Sequence, residues 1–240
     1  MVYVGSKNRI SKYLVPIIQS IIDNKKIQTY VEPFVGGANI IDKINCSSRI
    51  GYDLHEGLIS IYQGVQNNFI PPLHITEDMY KQAKEGLIKD PLRSYIGFQG
   101  SYATKWWGGY ARGFKADKVT PRDIYNERTR NFMKQIPKLK NIVFEVKNYQ
   151  DIIVKDSLIY CDPPYANTTK YRDSFNHQIF WGWVRKQSQE NVVLVSEFIA
   201  PDDFKIIWEK ERVCSLDKNT GSLKKIERLF TLNENIQTID

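Results

Sequence analysis

The residues of this sequence whose types and spacing most clearly suit a chemical reaction are four in succession, Asp162-Pro163-Pro164-Tyr165. A carboxylate and a carbonyl held in place by proline can together accept the two protons of an amino group. A tyrosine ring can stack on the planar base that carries such an amine. A match of four residues is also compatible with an ordinary turn that ends a strand, because short motifs occur by chance.

The residues before this motif indicate how it is positioned. Ser157-Leu158-Ile159-Tyr160-Cys161 is an apolar run that predicts a buried strand, and two successive prolines cannot continue a strand. The strand must therefore end in a stiff loop at its carboxyl end. Ligands of open α/β sheets bind in the crevice outside those ends, so the motif is predicted to face a ligand.

Two further acids follow predicted strands, namely Glu32 and Asp53. Gly36-Gly37 comes after Glu32, and a glycine turn lets the backbone approach a ligand closely. The turn is neither a dinucleotide fingerprint, since the third glycine is replaced by Asn39, nor a phosphate P-loop. Asp53 lies about twenty residues downstream, a spacing typical of an acid that binds ribose hydroxyls. Taken alone, an acid in the position of Asp53 is more often a helix N-cap or a turn residue at a strand end.

Alternating strands and helices predict an α/β fold with a Rossmann-like, mostly parallel sheet flanked by helices and a C-terminal antiparallel hairpin. The alternation covers residues 1–70 and 141–240, which we predict to be the catalytic domain, whereas residues 71–140 interrupt it as an inserted, mainly helical target-recognition lobe. Apolar periodicity predicts helices over 6–24, 39–44, 58–65, 76–88, 124–135 and 177–187. Strands are predicted over 27–31, 49–53, 142–146, 158–161, 192–196, 204–216 and 225–232, with a turn at 219–222.

The charge balance favours a polyanionic partner. The chain of 240 residues has a formal net charge of +7, which points to nucleic acid first and to an acidic membrane surface second. Within the predicted insert, Trp106, Trp107 and Tyr110 could stack on or wedge between bases, or they could form a small aromatic core. The basic residues expected to contact DNA phosphates are Lys105, Arg112, Lys115, Arg122, Arg128 and Arg130.

Other classes of function have little support in the sequence. Cys46, Cys161 and Cys214 are far apart, so neither a zinc site nor a redox motif is expected, and a reducing cytoplasm suits them. The three histidines show no metal-ligand spacing, and no metal is expected. The N-terminus lacks the pattern of a signal peptide, and no apolar run is long enough to span a bilayer.

Four motifs in a fixed order resemble one family. Tyr3-Val4-Gly5-Ser6-Lys7, Glu32–Ala38, Asp53 and Asp162-Pro163-Pro164-Tyr165 are similar to the motifs of Dam-like (D12 class) DNA adenine methyltransferases of bacteria and phages. The motifs frame most of the chain. Ser6 stands where many relatives have glycine, and the recognition region is short and rich in tryptophan and glycine, which leaves the target sequence open.

The resemblance implies S-adenosylmethionine as cofactor and double-stranded DNA as substrate. Lys7 would neutralise the methionine carboxylate of the cofactor, Tyr3 would pack over it, and Asp53 would accept hydrogen bonds from its ribose. Asp162 and the Pro163 carbonyl would accept the protons of an adenine N6 amine, while Tyr165 stacks on the flipped-out ring. The implied cofactor-binding residues are Tyr3, Lys7, Glu32, Pro33, Phe34, Gly36, Asp53 and Asp162.

Several alternatives remain open at this level. Ser196 and Glu197 could line the base pocket or form a plain strand end, and Thr168, Thr169 and Tyr171 could cover the nucleotide. The substrate could be RNA or the N4 amine of cytosine, although Asp162 favours adenine. A non-catalytic nucleic-acid-binding module and a nicotinamide-dependent oxidoreductase are more distant alternatives. The protein could act as a monomer or as a weak dimer on DNA.

Overall fold

The computed structural model describes residues 1–164, 175–214 and 223–233. The predicted turn at 219–222 therefore lies outside the described residues. The helices are α1 (Ser11–Lys25), α2 (Glu56–Gln66), α3 (Glu77–Lys84), α4 (Leu92–Gln99), α5 (Ile124–Leu139) and α6 (His177–Gln187). The strands are β1 (Thr29–Glu32), β2 (Ser48–Asp53), β3 (Val143–Val146), β4 (Ser157–Cys161), β5 (Val192–Glu197), β6 (Phe204–Cys214) and β7 (Leu223–Leu232).

The strands form a mostly parallel seven-stranded sheet in the order β3-β2-β1-β4-β5-β7-β6. The pairs β2–β3, β1–β4 and β4–β5 are parallel. Strand β7 runs antiparallel to both β5 and β6, so the chain ends its sheet with an antiparallel hairpin. The predicted fold class, a Rossmann-like sheet flanked by helices with a C-terminal hairpin, is confirmed.

The chain divides into two compact units. The first unit contains Met1–Gln19, Val35–Asn45 and Arg49–Lys147, and the second contains Ser20–Phe34, Cys46–Ser48 and the residues from Asn148 onward. The first unit holds the parallel pair β2–β3 and helices α2 to α5. The second unit holds β1, the strands from β4 onward and helix α6.

Strands β4 and β5 of the second unit are buried because their side chains are mostly apolar on both faces. All residues of β4 are buried, and Val193, Leu194 and Val195 of β5 have no exposed surface. Parallel strands covered on both faces read as continuous apolar runs, which is how both strands were recognised in the sequence. Each fully buried aliphatic side chain stabilises the fold by about 1.5–3 kcal/mol, so the carboxyl ends of these strands have a rigid base.

Helices α3, α4 and α5 lie in the predicted insert, and the structure differs from expectation there in two respects. Helix α3 begins as predicted, with the Thr76 hydroxyl accepting a hydrogen bond from Met79 N at 3.1 Å. It ends at Lys84 instead of Ile88, because Gly86 adopts a φ of +84° that breaks the helix. Helix α4 was not predicted.

The predicted helix over residues 39–44 is wrong. Only a single 3₁₀ turn forms there, Ile41–Lys43, and Ala38 before it has a φ of +53°. The Asn39 amide donates to Met1 O at 2.9 Å and to Ser6 Oγ at 2.8 Å, which ties the start of this segment to the N-terminus. Tertiary hydrogen bonds thus replace the helical ones that the local sequence favours.

Candidate active site

The diproline corner follows β4 directly, as predicted. Asp162 is half-buried, Pro163 is buried and Pro164 is half-buried, so the acid begins the corner at the carboxyl end of a fully buried strand. Proline fixes φ near −65°, and two in succession make this stretch stiff. Its described part ends at Pro164, and Tyr165, Thr168, Thr169 and Tyr171 lie outside the described residues.

Glu32, at the carboxyl end of β1, is a buried acid with only 3% of its surface exposed. The hydroxyl of Tyr30 donates to Glu32 Oε1 at 2.7 Å, which partly compensates the cost of burying this group. Pro33 is buried, and the ring of Phe34 packs against Tyr149 at 5.4 Å and Phe180 at 5.8 Å between centroids. The stretch Glu32–Phe34 is therefore held firmly within the second unit.

In the first unit, Asp53 fastens the glycine turn to the end of β2. Its Oδ2 accepts a hydrogen bond from Gly36 N at 3.1 Å, and its Oδ1 accepts one from His55 N at 3.0 Å. Burial raises the pKa of Asp53 above its usual value, and these backbone donors partly oppose the rise. Each carboxylate oxygen has a second lone pair, so Asp53 can still accept hydrogen bonds from hydroxyl groups.

Gly36 lies against an aromatic ring in a backbone conformation that strains any side chain. It has a φ of +45°, and a Cβ atom added there would meet the Tyr3 ring at 3.2 Å. The Tyr62 hydroxyl donates to Gly36 O, so the turn is fixed from a second direction. The turn consequently presents bare backbone beside Tyr3 and the Asp53 carboxylate, a cradle suited to a flat, hydroxyl-bearing ligand.

The N-terminal motif is ordered against the same turn. Tyr3 is half-buried and packs on Phe98, with 5.6 Å between ring centroids. Lys7 begins a 3₁₀ turn capped by Ser6 and has 5% of its surface exposed. A lysine is rarely this deeply buried unless its ammonium is engaged, which makes Lys7 a stronger functional candidate than a surface lysine near a terminus.

Trp106 and Trp107 pack in a partly exposed aromatic cluster of the first unit. Trp106 lies 4.7 Å from Phe98 and 4.5 Å from His55 between ring centroids, and Trp107 lies 5.4 Å from Tyr80. A Cβ atom at Gly97 would approach the Trp106 ring to 2.6 Å, so this glycine permits the close packing. Trp106 nevertheless keeps 37% of its surface exposed and Trp107 is half-buried, so both alternatives for these tryptophans are compatible with the structure.

Tyr102 and Phe114 are largely exposed aromatic residues of this region, and neither was predicted to contact DNA. We call residues 113–122 the basic loop, in which Phe114 pairs with Pro121 and Lys115 N donates to Thr120 O at 2.8 Å. Phe114 is 62% exposed, and Val119 near the other end is 78% exposed. Large apolar side chains on an exposed loop beside lysines are typical of a surface that meets a partner.

The six predicted phosphate-binding side chains differ in their surroundings. Lys105, Lys115 and Arg130 are exposed. Arg112 pairs with Glu77, and Arg122 pairs with Glu127, so part of their charge is neutralised locally. Arg128 is half-buried, and its Nη1 donates to Gln99 O at 2.7 Å and Ser101 O at 2.8 Å. Burial lowers the pKa of Arg128, which indicates a structural contribution beside any contact with DNA.

We expect Arg128→Ala and Arg130→Ala to separate these roles. Arg128→Ala leaves the Gln99 and Ser101 carbonyls without a charged donor and should lower the free energy of unfolding by about 2 kcal/mol. Arg130→Ala should leave thermal stability unchanged and reduce the salt dependence of DNA binding by about one unit of slope. Thermal melts and fluorescence anisotropy at several salt concentrations measure both effects. Equal melting temperatures for the two variants would contradict the structural role of Arg128.

Within residues 1–164, 175–214 and 223–233, no group of three or more acidic, histidine or cysteine side chains is arranged to hold a metal ion. Nor does any described helix combine the length and apolar character that crossing a membrane requires.

A mostly parallel α/β sheet with acids at the ends of three strands is an architecture that binds nucleotide-like ligands. The comparison with protein families then identifies the class of enzyme. Residues 3–98 and 92–190 match the model of the D12 class N6 adenine-specific DNA methyltransferases. The chain belongs to this family of enzymes, which confirms the resemblance seen in its motifs. Membership of a methyltransferase family implies use of S-adenosylmethionine.

Individual relatives are distant. The DNA adenine methylase of Escherichia coli (strain K12) is 25% identical over 247 residues, which cover 86% of this chain and 87% of that protein. The type II methyltransferase M.FokI of Planomicrobium okeanokoites is 23% identical over 210 residues, covering 77% of this chain and 31% of that longer protein. Among solved structures, the rRNA methyltransferase aviRa of Streptomyces viridochromogenes has a TM-score of 0.46 and 10% identity, over 96% of this chain and 86% of that one.

Proposed function

We propose that this protein transfers a methyl group from S-adenosylmethionine to the N6 amine of an adenine flipped out of double-stranded DNA, at a specific sequence. The observation that carries the proposal is the corner that begins at Asp162. It couples a half-buried acid to the carbonyl of a buried proline at the end of a fully buried strand. Family membership supports the reaction, and the corner supplies the acceptors that such an amine needs.

The glycine turn of the first unit supports S-adenosylmethionine as the cofactor. Gly36, the Tyr3 ring and the Asp53 carboxylate lie together at this turn, where a Cβ atom on Gly36 would crowd the Tyr3 ring. Tyr3, Lys7, Gly36 and Asp53 would hold the cofactor there, while Glu32, Pro33, Phe34 and Asp162 stay proposed contacts from the family resemblance. When bound, this cofactor supplies an electrophilic methyl group on a sulfonium.

In this reaction the protein would accept two hydrogen bonds and one proton from the adenine amine. The lone pair of an adenine amine is delocalised into the ring, which makes it a weak nucleophile. Hydrogen bonds from the amine to the Asp162 carboxylate and the Pro163 carbonyl would draw its protons out of the ring plane and localise that lone pair. The carboxylate can then take the proton that the amine gives up on methylation. Both acceptors lie on a stiff corner, so little reorganisation is needed.

The proposal also assigns catalysis and DNA recognition to different parts of the chain. Residues 1–70 and 141–240 would carry the cofactor and the reaction, and residues 71–140 would recognise the DNA target. Phosphate contacts position the enzyme but carry no sequence information, and the residues proposed to make them are Lys105, Arg112, Lys115, Arg122, Arg128 and Arg130. Tyr165 would stack on the flipped base. Flipping a base costs a few kcal/mol, and contacts between the protein and the rest of the duplex must offset this cost.

We expect Phe114 of the basic loop to support the distorted DNA. Stacking on a base contributes about 1–3 kcal/mol, so Phe114→Ala should weaken DNA binding roughly tenfold or more. It should also reduce the rise in fluorescence of 2-aminopurine placed at the target adenine. Leu87→Ala is the matched control, because Leu87 is an apolar side chain that is 72% exposed and lies outside the basic loop. A Phe114→Ala protein with unchanged affinity and unchanged fluorescence would remove Phe114 from the DNA interface.

The proposed reaction is tested by product analysis. The purified protein is incubated with S-adenosylmethionine carrying a labelled methyl group and with DNA from a methylation-deficient strain, and the nucleosides are separated and identified by mass spectrometry. We expect N6-methyladenine. Label in N4-methylcytosine, or in RNA supplied as competitor, would establish one of the alternative substrates. Cofactor binding by calorimetry without any methylated product would indicate a non-catalytic binding module.

A further inference from the structure

A row of buried polar side chains crosses one face of the sheet in the second unit, near the carboxyl ends of its strands. Continued by one residue, the parallel register places Glu32 of β1 beside Tyr160 of β4, and Ser196 of β5 level with Asp162. Residues two apart in a strand share a face, so Tyr160 and Asp162 point to the same side. These polar side chains therefore lie on the same face of the sheet as Asp162, on the core side of the diproline corner.

Tyr160 and Ser196 are joined by a hydrogen bond of 2.8 Å between their hydroxyl oxygens. We call these two residues the hydroxyl pair. Tyr160 is 2% exposed and Ser196 has no exposed surface. Ser196 therefore faces the core, whereas the sequence left open whether it lines a base pocket. A phenylalanine and an alanine would fill the same space without burying two polar groups, so the hydroxyls need a reason other than packing.

Three carboxylates act electrostatically on the hydroxyl of Tyr160. Burial raises the pKa of Tyr160 well above its usual value, and the negative charge of Asp162 is the next largest cause. The charges of Glu32 and Glu227 raise the pKa further, whereas the hydrogen bond with Ser196 lowers it. Tyr160 thus keeps its proton at neutral pH, and its side chain lies on the same face of the sheet as that of Asp162.

The hydroxyl pair could help to keep the carboxylate of Asp162 ionised. Asp162 must remain an anion to accept protons from an amine, yet the strand beneath it is fully buried and two other carboxylates, Glu32 and Glu227, lie in the same row with 3% and 2% exposure. Like charges and burial both favour protonation of a carboxylate. Fixed hydroxyl dipoles can stabilise the anion where water is excluded, and they need no reorganisation during the reaction.

We propose that Tyr160 and Ser196 are positioning residues for Asp162, whose hydrogen-bonded hydroxyl groups take the place of water on the core side of the diproline corner. This inference rests on the proposed function, because it assigns the hydroxyl pair to the same reaction. The pair acts through Asp162 and does not touch the substrate. Its loss should therefore slow methyl transfer and leave binding of both substrates intact.

The test compares Tyr160→Phe, Ser196→Ala and the double variant with the unchanged protein. Single-turnover methylation is measured with saturating cofactor and saturating DNA, and binding is measured by calorimetry for the cofactor and anisotropy for DNA. We expect each single variant to be about tenfold slower, a smaller loss than removal of a direct donor to the reacting group. The double variant should be no slower than the slower single variant, since the two hydroxyls act as a unit. Both dissociation constants should change less than about twofold, because neither residue touches substrate.

Two further variants distinguish an effect on Asp162 from a general loss of protein stability. Ser196→Thr keeps a hydroxyl and should recover most of the rate that Ser196→Ala loses. Tyr95→Phe removes a buried hydroxyl bonded to Thr129 at 3.1 Å in the first unit, so it should lower the melting temperature without slowing the reaction. Wild-type rates in both Tyr160→Phe and Ser196→Ala, or an equal loss in Tyr95→Phe, would overturn the inference. If Tyr160→Phe and Ser196→Ala were fully active but Asp162→Ala were inactive, the inference about the hydroxyl pair would be wrong and the proposed function would still be supported.

Discussion

Replacing Asp162 with alanine is expected to lower the rate of methyl transfer at least about a thousandfold while DNA binding stays within a fewfold of the unchanged protein. A positioned acid–base group contributes about 10²–10⁴ to a rate, and this side chain is the proposed acceptor for both a hydrogen bond and a proton. It carries a negative charge, so its removal takes away no attraction for phosphates. Transfer of labelled methyl groups and anisotropy with the same DNA measure the two quantities.

Asp162→Asn is the matched control for this prediction. The amide keeps the shape of the carboxylate and one acceptor oxygen, but it cannot take up a proton at neutral pH. Its rate should fall between those of the unchanged protein and the alanine variant. An alanine variant that turns over within tenfold of the unchanged protein would show that the amine is activated elsewhere. A simultaneous loss of DNA binding would instead point to a collapse of the corner.

The parts of the fold that the sequence predicted are those fixed by local pattern. Leu158–Cys161 and Val192–Ser196 are continuous apolar runs, and burial on both faces of a parallel sheet requires such runs. The acids Glu32 and Asp53 end their strands, and Asp162 follows its strand directly, because a charged side chain is excluded from a strand interior of this kind. Chain order and strand ends therefore sufficed to predict where the candidate site residues lie along the sheet.

The parts that the sequence could not predict depend on distant partners. Helix α4 is buried from Ser94 to Gln99, and a helix covered all round lacks the polar face that reveals a helical period. The turn around Asn39 follows hydrogen bonds to Met1 and Ser6, more than thirty residues away. Likewise, the exposure of Phe114 and the packing of Trp106 against His55 follow from their neighbours in space, since both are aromatic residues in the same glycine-rich stretch.

Asp53→Ala is expected to weaken binding of S-adenosylmethionine about a hundredfold. The variant loses the proposed hydrogen bonds to two ribose hydroxyls, and bonds to a charged group contribute about 1.5–3 kcal/mol each. A net loss of about 3 kcal/mol corresponds to a factor of about one hundred in the dissociation constant. It also removes the acceptors for Gly36 N and His55 N, so the glycine turn loses one of its supports. Calorimetric titration with the cofactor measures the effect directly.

Asp53→Asn separates the two contributions. Its amide oxygen can still accept from one backbone N–H, so the turn keeps part of its support while the negative charge is lost. If the charge matters most, Asn and Ala variants will bind the cofactor equally poorly; if the turn matters most, Asn will bind several times more tightly than Ala. DNA binding should be unchanged in both, because Asp53 is not expected to contact DNA. Cofactor affinity within threefold of normal in Asp53→Ala would exclude this acid as the ribose contact and move the cofactor away from the glycine turn.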